Sequence, residues 1–159
     1  MDFKLRFSFL LLVIVLFSSA STARNTLSYG QILNLVNEDR VKHGLTQLRL
    51  DPTLNLAAQA KAEDMISKKY FGHESPEGQA PWHWFKALGY NYSYAGENLA
   101  TGFDDPSDLV LSWMASPKHR ANILSPFYSE VGFAIVNDDD TNVIVQFFGS
   151  KENKIVSSK

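Results

Sequence analysis

Residues 96–124 read GENLATGFDDPSDLVLSWMASPKHRANIL, and this stretch contains two helix starts in close succession. Asp105 followed by Pro106 is typical of an N-cap residue with proline at the first helical position. Ser116 followed by Pro117 repeats the pattern and predicts a second helix directly after the first. A serine in this position is more often a helix cap than a nucleophile, so we interpret Ser116 as an N-cap.

The same stretch carries polar side chains that are suited to a functional site. The Gly-Glu-Asn sequence predicts a turn that presents Glu97. His119 lies one turn into the second predicted helix, on the same face as Ser116. The positive end of a helix favours a neutral imidazole, which is the form that binds a divalent metal ion. In the preceding helix we expect Leu111 and Trp113 to be buried.

Helical spacing of apolar residues dominates the first part of the chain, and alternation dominates the last part. Ser28 and Gln31 predict a capping box at the first helix. Helices followed by a hairpin predict an α+β domain in which helices cover a small antiparallel sheet. Besides the two helices above, the predicted elements are helices over 28–43, 51–70 and 81–89, extended segments over 48–50 and 90–94, and a hairpin of strands 131–136 and 143–148 joined by the loop 137–142.

The N-terminal residues match the pattern of a secretory signal peptide. Lys4 and Arg6 precede an apolar run over 7–17, and small residues follow over 18–23. The run is short for a membrane span, so an uncleaved anchor is the weaker alternative. We therefore predict a secreted, extracellular or periplasmic protein with no stable membrane span after cleavage. The predicted organisation is a signal peptide over 1–23, a lead-in over 24–28, one domain over 29–150 and a polar tail over 151–159.

The composition is that of one ordinary globular domain with a small net charge. The chain has 159 residues, of which 45% are hydrophobic and 20% are charged, and its formal net charge is −2. It has no basic stripe, which argues against nucleic-acid binding. It also has no cysteine, which excludes disulfide bonds, a cysteine nucleophile and a lipoprotein-type lipid anchor. We expect a monomer.

Other sequence features give weaker functional signals. The sequence has no Gly-x-Ser-x-Gly elbow, no phosphate-binding glycine loop and no His-Glu-x-x-His zinc helix. His43, at the end of a predicted helix, and His83, within an aromatic helix, are poorer site candidates than His119. Asn91 begins an Asn-Tyr-Ser sequence that matches a glycosylation acceptor, which matters only in a eukaryotic secretory pathway.

Another histidine, His73, lies in the loop segment Phe-Gly-His-Glu-Ser-Pro. Taken alone, it is better explained as a solvated or hydrogen-bonded loop residue than as a ligand. Together with three later motifs it resembles the CAP superfamily, the group of SCP-like, cysteine-rich secretory, antigen 5 and pathogenesis-related 1 proteins, and especially its cysteine-free bacterial branch. The motifs lie at 71–78, 89–90, 95–100 and 112–124, in the order of the family, and the resemblance covers about 29–149.

The resemblance implies a three-layer α-β-α sandwich with a central cleft. In the family this cleft gathers two histidines and two acidic residues, and in some members it holds zinc or another divalent ion. His73 and His119 match the two histidines, and Glu97 matches the glutamate of the Gly-Glu-Asn motif. Ser116 stands where eukaryotic members have the second acidic residue. The resemblance thus implies His73 and His119 as metal ligands, with Ser116 as a further cleft residue.

Two functions fit these residues. One is a binding module that engages an extracellular ligand, such as a lipid, a wall component or a protein, through the polar cleft. The other is a metal-assisted, protease-like hydrolase in which Glu97 acts as a general base on a metal-bound water. The lack of a second carboxylate favours the binding module.

Overall fold

The computed structural model describes residues 27–138 and 141–152, so the predicted signal peptide and residues 153–159 lie outside the described part. Among the described helices, none has both the length and the apolar character that crossing a membrane requires. The elements in chain order are α1 (Tyr29–Lys42), β1 (Arg49–Leu50), α2 (Pro52–Ser67), α3 (Trp82–Ala87), β2 (Tyr92–Thr101), α4 (Pro106–Ala115), α5 (Pro117–Ile123), β3 (Glu130–Asn137) and β4 (Asn142–Lys151).

The predicted helices are confirmed, and most of them begin at the predicted caps. The Ser28 hydroxyl accepts the backbone N–H of Gln31 and donates to its side-chain oxygen at 2.9 Å. Asp51 and Asp105 each accept the backbone N–H groups two and three residues further on. Ser116 occupies the N-cap position of α5, but its side chain makes no capping hydrogen bond. Helix α5 therefore begins through backbone geometry and Pro117.

The four strands form one sheet in the order β1-β3-β4-β2. Strand β4 pairs antiparallel with both β2 and β3, which confirms the predicted hairpin and the antiparallel core of the sheet. The two-residue β1 pairs in parallel with β3, and the sequence analysis did not predict this pairing. Strand β4 also extends to Lys151, which the sequence placed in the polar tail.

The predicted Gly-Glu-Asn turn is wrong, because these residues lie within the continuous strand β2. Glu97 pairs with Phe147 of β4, and the ladder runs unbroken from Tyr94 to the end of the strand. The glycine has a packing reason, since a Cβ on Gly96 would lie only 2.5 Å from the Tyr128 hydroxyl. The glycine that indicated a turn instead allows a ring to approach the strand closely.

Helices cover both faces of the sheet and give three layers, because alternate strand residues face opposite sides. Trp113 is buried as expected, but Leu111 is 66% exposed, which contradicts its predicted burial. Two residues apart on a helix, these side chains point in very different directions. One face packs against α2 and α3 through Leu54, Ala58, Met65, Trp84, Phe85, Val145 and Phe147; the other packs against α1, α4 and α5 through Ile32, Val36, Leu109, Trp113, Ile123, Phe133 and Phe148.

Side chains from other elements cap the outer edge of β2. The carbonyl groups of alternate residues accept hydrogen bonds from an aromatic hydroxyl, an amide and an indole. An edge strand whose carbonyls are occupied cannot readily pair with another strand. The pairs are Tyr128 Oη to Ala95 O at 3.0 Å, Asn122 Nδ2 to Glu97 O at 2.9 Å, and Trp113 Nε1 to Leu99 O at 3.2 Å.

A buried arginine joins α1 to the C-terminal end of α5. The Arg40 guanidinium donates to the carbonyls of Thr46, Ile123, Ser125 and Tyr128 at 2.7 to 3.3 Å. Burial lowers the pKa of Arg40, and the guanidinium is held by carbonyl oxygens. The last carbonyls of a helix lack intrahelical partners, so this side chain also completes α5.

Candidate functional site

A cleft of about 600 Å³ lies across the edge of the sheet at β2. Its walls come from the loop after α2, the start of α3, the central part of β2 and the first turn of α5. The cleft therefore lies where the two helical layers meet beyond the edge strand. The lining residues are His73, Glu74, Ala80, Pro81, Trp82, Ala95, Gly96, Glu97, Lys118, His119, Ala121 and Asn122.

His73 and Glu97 form a close pair in this cleft. Nδ1 of His73 lies 2.5 Å from Oε1 of Glu97, which is a short hydrogen bond or ion pair. The Glu97 side chain is only 2% exposed, whereas the His73 side chain is 61% exposed. The second oxygen of Glu97, Oε2, is buried and has no hydrogen-bond partner among the described residues. The pair thus presents an imidazole to solvent above a buried carboxylate.

The surroundings shift the pKa values of the three predicted site residues. Burial raises the pKa of Glu97, and the hydrogen bond from His73 and the charges of Lys61 and His73 oppose this rise. The hydrogen bond to Glu97 raises the pKa of His73, against burial and the charges of Lys61 and Lys118. Burial lowers the pKa of His119, and the charge of His73 lowers it further. The sequence predicted a neutral His119 from the helix end, and in the structure burial and the charge of His73 lower its pKa.

A network of buried amides fixes the helix that carries His119. Nδ2 of Asn98 donates to Oε1 of Gln146 at 3.0 Å and to the carbonyl of His119 at 3.3 Å. Nδ2 of Asn122 donates to Oδ1 of Asn98 and to the carbonyl of Glu97, both at 2.9 Å. The sheet and the first turns of α5 are therefore tied together beside the cleft.

The structure brings His73, Glu97 and His119 to one cleft, although they lie on three different elements. Ser116 lies at the start of α5 and does not belong to the described residues that line the cleft. His43 lies at the end of α1, where its ring is 2.7 Å from the carbonyl of Asp39. His83 is exposed on α3 and lies outside the cleft lining.

Lys61, a fully buried lysine in α2, is not among the residues that the sequence predicted for the site. Its ammonium group donates to the carbonyl of His73 at 2.9 Å and to the hydroxyl of Tyr70 at 3.1 Å. Lys61 occupies a position on the buried stripe of α2 between Ala58 and Met65. A charged residue on an otherwise apolar helical stripe was the available signal.

The donor set fits an open metal site better than a closed one. Within residues 27–138 and 141–152, no group of three or more His, Cys, Asp or Glu side chains is arranged to hold a metal ion. His73 uses Nδ1 for Glu97, so its Nε2 and the ring of His119 are the imidazole nitrogens that remain as donors in the cleft. A carboxylate on the far nitrogen of a ligating histidine orients the ring and increases its basicity. An ion held by two imidazoles would complete its coordination with water.

Comparison with known proteins identifies the family. The model of the cysteine-rich secretory protein family, CAP, matches residues 33–148, which is most of the chain. The chain belongs to the CAP family. The three-layer fold and the α+β class follow the family's architecture, and the structural relatives below share it.

The CAP domain is similar to several bacterial proteins. It is 42% identical over 106 residues to the uncharacterized protein YkwD of Bacillus subtilis, a match that covers 67% of this chain and 41% of YkwD. The uncharacterized membrane protein YlbC of the same organism is 34% identical over 110 residues, covering 69% of this chain and 32% of YlbC. The chain thus spans less than half the length of the curated relatives that it matches.

Two solved structures have closely similar folds. An outer surface protein from Borrelia burgdorferi has a TM-score of 0.70 at 22% identity, with 76% of this chain and 90% of that chain covered. An extracellular protein containing an SCP domain from Bacillus anthracis has a TM-score of 0.67 at 28% identity, with 77% of this chain and 40% of that chain covered. The first of these likenesses establishes the fold alone.

Proposed function

We propose that this CAP domain is an extracellular binding module that takes an acidic wall component into the His73–His119 cleft. The observation that carries the proposal is the short contact between His73 and Glu97. It commits the buried carboxylate to orienting an imidazole, so that the cleft offers imidazole nitrogen rather than a free carboxylate to its ligand. A hydrolase of the kind considered above needs that carboxylate as a general base.

The lining of the cleft supports an acidic, partly apolar ligand. Lys118 and the two histidines supply positive charge or hydrogen-bond donors, and Trp82 supplies a ring. Glu97 is nearly fully buried, so its charge is shielded from the cleft opening. Bacterial peptidoglycan carries carboxylate groups and is the wall component that we choose as the probe.

The name of one relative supports an extracellular location. The solved relative from Bacillus anthracis, at 28% identity, is an extracellular protein. The N-terminal pattern of Lys4, Arg6 and the apolar run over 7–17 agrees with export. N-terminal sequencing of protein from the culture medium or periplasm tests this part of the proposal. A start between about residues 21 and 25 supports it, and an intact Met1 found only in membranes contradicts it.

A metal-assisted hydrolase is the second candidate, and one observation favours it. Oε2 of Glu97 is buried without a partner among the described residues, which is unusual for a carboxylate oxygen and compatible with a catalytic role. In this alternative His73 Nε2 and His119 would hold zinc or another divalent ion, which would supply an activated water. Glu97 would accept a proton, and the pair would then need to separate from its present contact.

Two binding measurements on one set of proteins separate these candidates. In co-sedimentation with purified peptidoglycan, the wild-type protein should be found in the pellet, and Lys118→Ala and His119→Ala should remain in the supernatant. Calorimetric titration with zinc measures the affinity for the cation independently. His83→Ala is the matched control, because His83 is an exposed histidine outside the cleft lining. Peptidoglycan binding that is unchanged in both cleft variants contradicts the binding module. Tight zinc binding that disappears in His119→Ala, with zinc-dependent cleavage of a peptide substrate, supports the hydrolase.

A further inference from the structure

Lys61 is a fully buried lysine whose ammonium group faces the underside of the cleft. It lies in α2, with its Nζ 4.6 Å from the ring centroid of Trp84 and 4.9 Å from that of Tyr70. Its hydrogen bonds go to the Tyr70 hydroxyl at 3.1 Å and to the backbone carbonyl of His73 at 2.9 Å. The buried charge is thus held by two aromatic faces, a phenol oxygen and one peptide oxygen, and the negative charges of Glu97 and Asp64 also favour it.

Burying an ammonium group is costly, and packing alone does not require one at this position. A methionine has nearly the same length and would fill the same space between aromatic rings without that cost. What the lysine adds is a positive charge near Glu97, a hydrogen bond to the Tyr70 hydroxyl and a hydrogen bond to one peptide group. This peptide group belongs to His73, whose ring pairs with Glu97.

The segment 71–74 has few other attachments. In the described part of the chain, the hydrogen bonds that tie these four residues to the rest of the domain are Lys61 to the His73 carbonyl and the His73 ring to Glu97. Further along the loop, Ser75 makes local turn bonds with Glu77 and Gln79. In this part of the chain, the hydrogen bond from Lys61 is thus the one that joins the His73 backbone to a helix of the domain.

We propose that Lys61 is a positioning residue of the cleft. It holds the backbone of His73 in the position that lets Nδ1 of the ring hydrogen-bond to Glu97. A side chain at position 61 that is shorter, or that has no donor, would lose the hydrogen bond to the His73 carbonyl. Residues 71–74 would then move, and the His73 ring would lose its contact with the Glu97 carboxylate. The inference rests on the proposed function for what the cleft binds. The placement of the His73 ring is measured without any ligand.

The first test is the ring tautomer of His73, read from the ¹⁵N shifts of the labelled protein at a pH where the ring is neutral. In the wild-type protein the Nδ1–H tautomer should dominate, because Glu97 accepts from Nδ1. Lys61→Met should shift the population toward the Nε2–H tautomer in a protein that still unfolds cooperatively. Glu97→Gln shows how the ¹⁵N shifts of His73 respond when the carboxylate that accepts from Nδ1 becomes an amide. Lys42→Met is the control, because Lys42 is an exposed lysine that pairs with Asp39.

The second test is zinc affinity of the same proteins. Loss of an outer contact that orients a ligating histidine typically weakens metal binding by about 10- to 100-fold. Lys61→Met should therefore weaken zinc binding by a similar factor, and Lys42→Met should leave zinc affinity unchanged. If the wild-type protein binds no zinc but Lys61→Met still changes the His73 tautomer, the metal hypothesis fails and the positioning role stands. An unchanged tautomer in folded Lys61→Met overturns the proposal. If that variant does not fold, Lys61→Gln, which keeps N–H donors on a shorter chain, is measured instead and is expected to show a partial shift; an unshifted tautomer overturns the proposal there too.

Discussion

Nδ1 of His73 and Oε1 of Glu97 lie 2.5 Å apart, although 24 residues separate them along the chain. One belongs to the loop that follows α2 and the other to the edge strand of the sheet. Their contact therefore exists only when the loop is closed against β2. Through this contact, a change in the charge of the carboxylate acts directly on the exposed imidazole.

Replacing Glu97 with glutamine should lower the pKa of His73. The hydrogen bond to the Glu97 carboxylate is the largest cause that raises the pKa of His73, and the negative charge of Glu97 raises it further. A neutral amide at position 97 has no charge and no longer favours the imidazolium form of His73. An NMR titration of the ring protons measures the shift. Glu74→Gln is the control, because Glu74 is the neighbouring carboxylate in the cleft lining. A pKa of His73 that is the same in wild-type protein and Glu97→Gln would contradict the contact.

Replacing Trp113 with alanine should cost about 3–5 kcal/mol of unfolding free energy. The indole is buried between the helices and the sheet, and its N–H caps the Leu99 carbonyl at the edge of β2. Urea denaturation measures the difference. Leu111→Ala on the same helix should change the free energy by less than about 0.5 kcal/mol, because Leu111 is exposed. Similar losses in both variants would show that α4 packs differently.

Two glycines should respond to alanine in opposite directions. A Cβ on Gly132 would lie 2.2 Å from the backbone carbon of Leu54, where α2 approaches β3, and the backbone cannot give way cheaply. Gly132→Ala should therefore destabilise the domain by about 3 kcal/mol or more. Gly30 lies in α1, and a Cβ there would have no atom within 4 Å, so Gly30→Ala should stabilise by about 0.5–1 kcal/mol. Thermal unfolding of both variants checks the pair, and a neutral Gly132→Ala would refute the close approach.

The stability that Asp51 contributes should disappear in acid. Burial alone would raise the pKa of Asp51, but the hydrogen bond and charge of Lys151 and the N–H groups of Leu54 and Thr53 outweigh it and lower the pKa. A carboxylate with a lowered pKa stabilises the fold above its unfolded pKa of about 4, and this contribution is lost as the pH falls through the folded pKa. The stability gap between wild-type protein and Asp51→Asn should thus narrow as the pH falls from about 6 to about 2.

Urea denaturation at several pH values measures that gap. Asp105→Asn is the control, because Asp105 caps α4 with the same geometry but pairs with no lysine or arginine among the described residues. It shows how far stability falls when a helix-capping carboxylate without a lysine partner is removed. A gap for Asp51→Asn that stays constant over the whole range would mean that the contact with Lys151 does not hold the carboxylate in its charged form.

The sequence by itself determined the elements that depend on near neighbours. Caps at Ser28, Asp51 and Asp105 and the apolar spacing between them indicate the helices, because capping and helical hydrogen bonds join residues three or four positions apart. Alternation indicates the β3–β4 hairpin for the same reason, since its two strands are adjacent in the chain. The family motifs also placed His73, Glu97 and His119 as site residues, although no local rule joins them.

Only the tertiary structure decided the features that depend on distant partners. Gly96 and Glu97 belong to a strand because they pair with β4, about 50 residues away along the chain. The local sequence, which resembles a turn, contains no information about this distant partner. Lys61 is buried because rings and a carbonyl from later segments surround it, whereas its own helix shows only a charge on an apolar stripe. Leu111 is exposed because α4 is oriented with Trp113 toward the sheet, where its indole contacts the Leu99 carbonyl at the sheet edge. Local hydrogen bonding fixes the elements, and burial against non-local partners fixes which of their residues form the site.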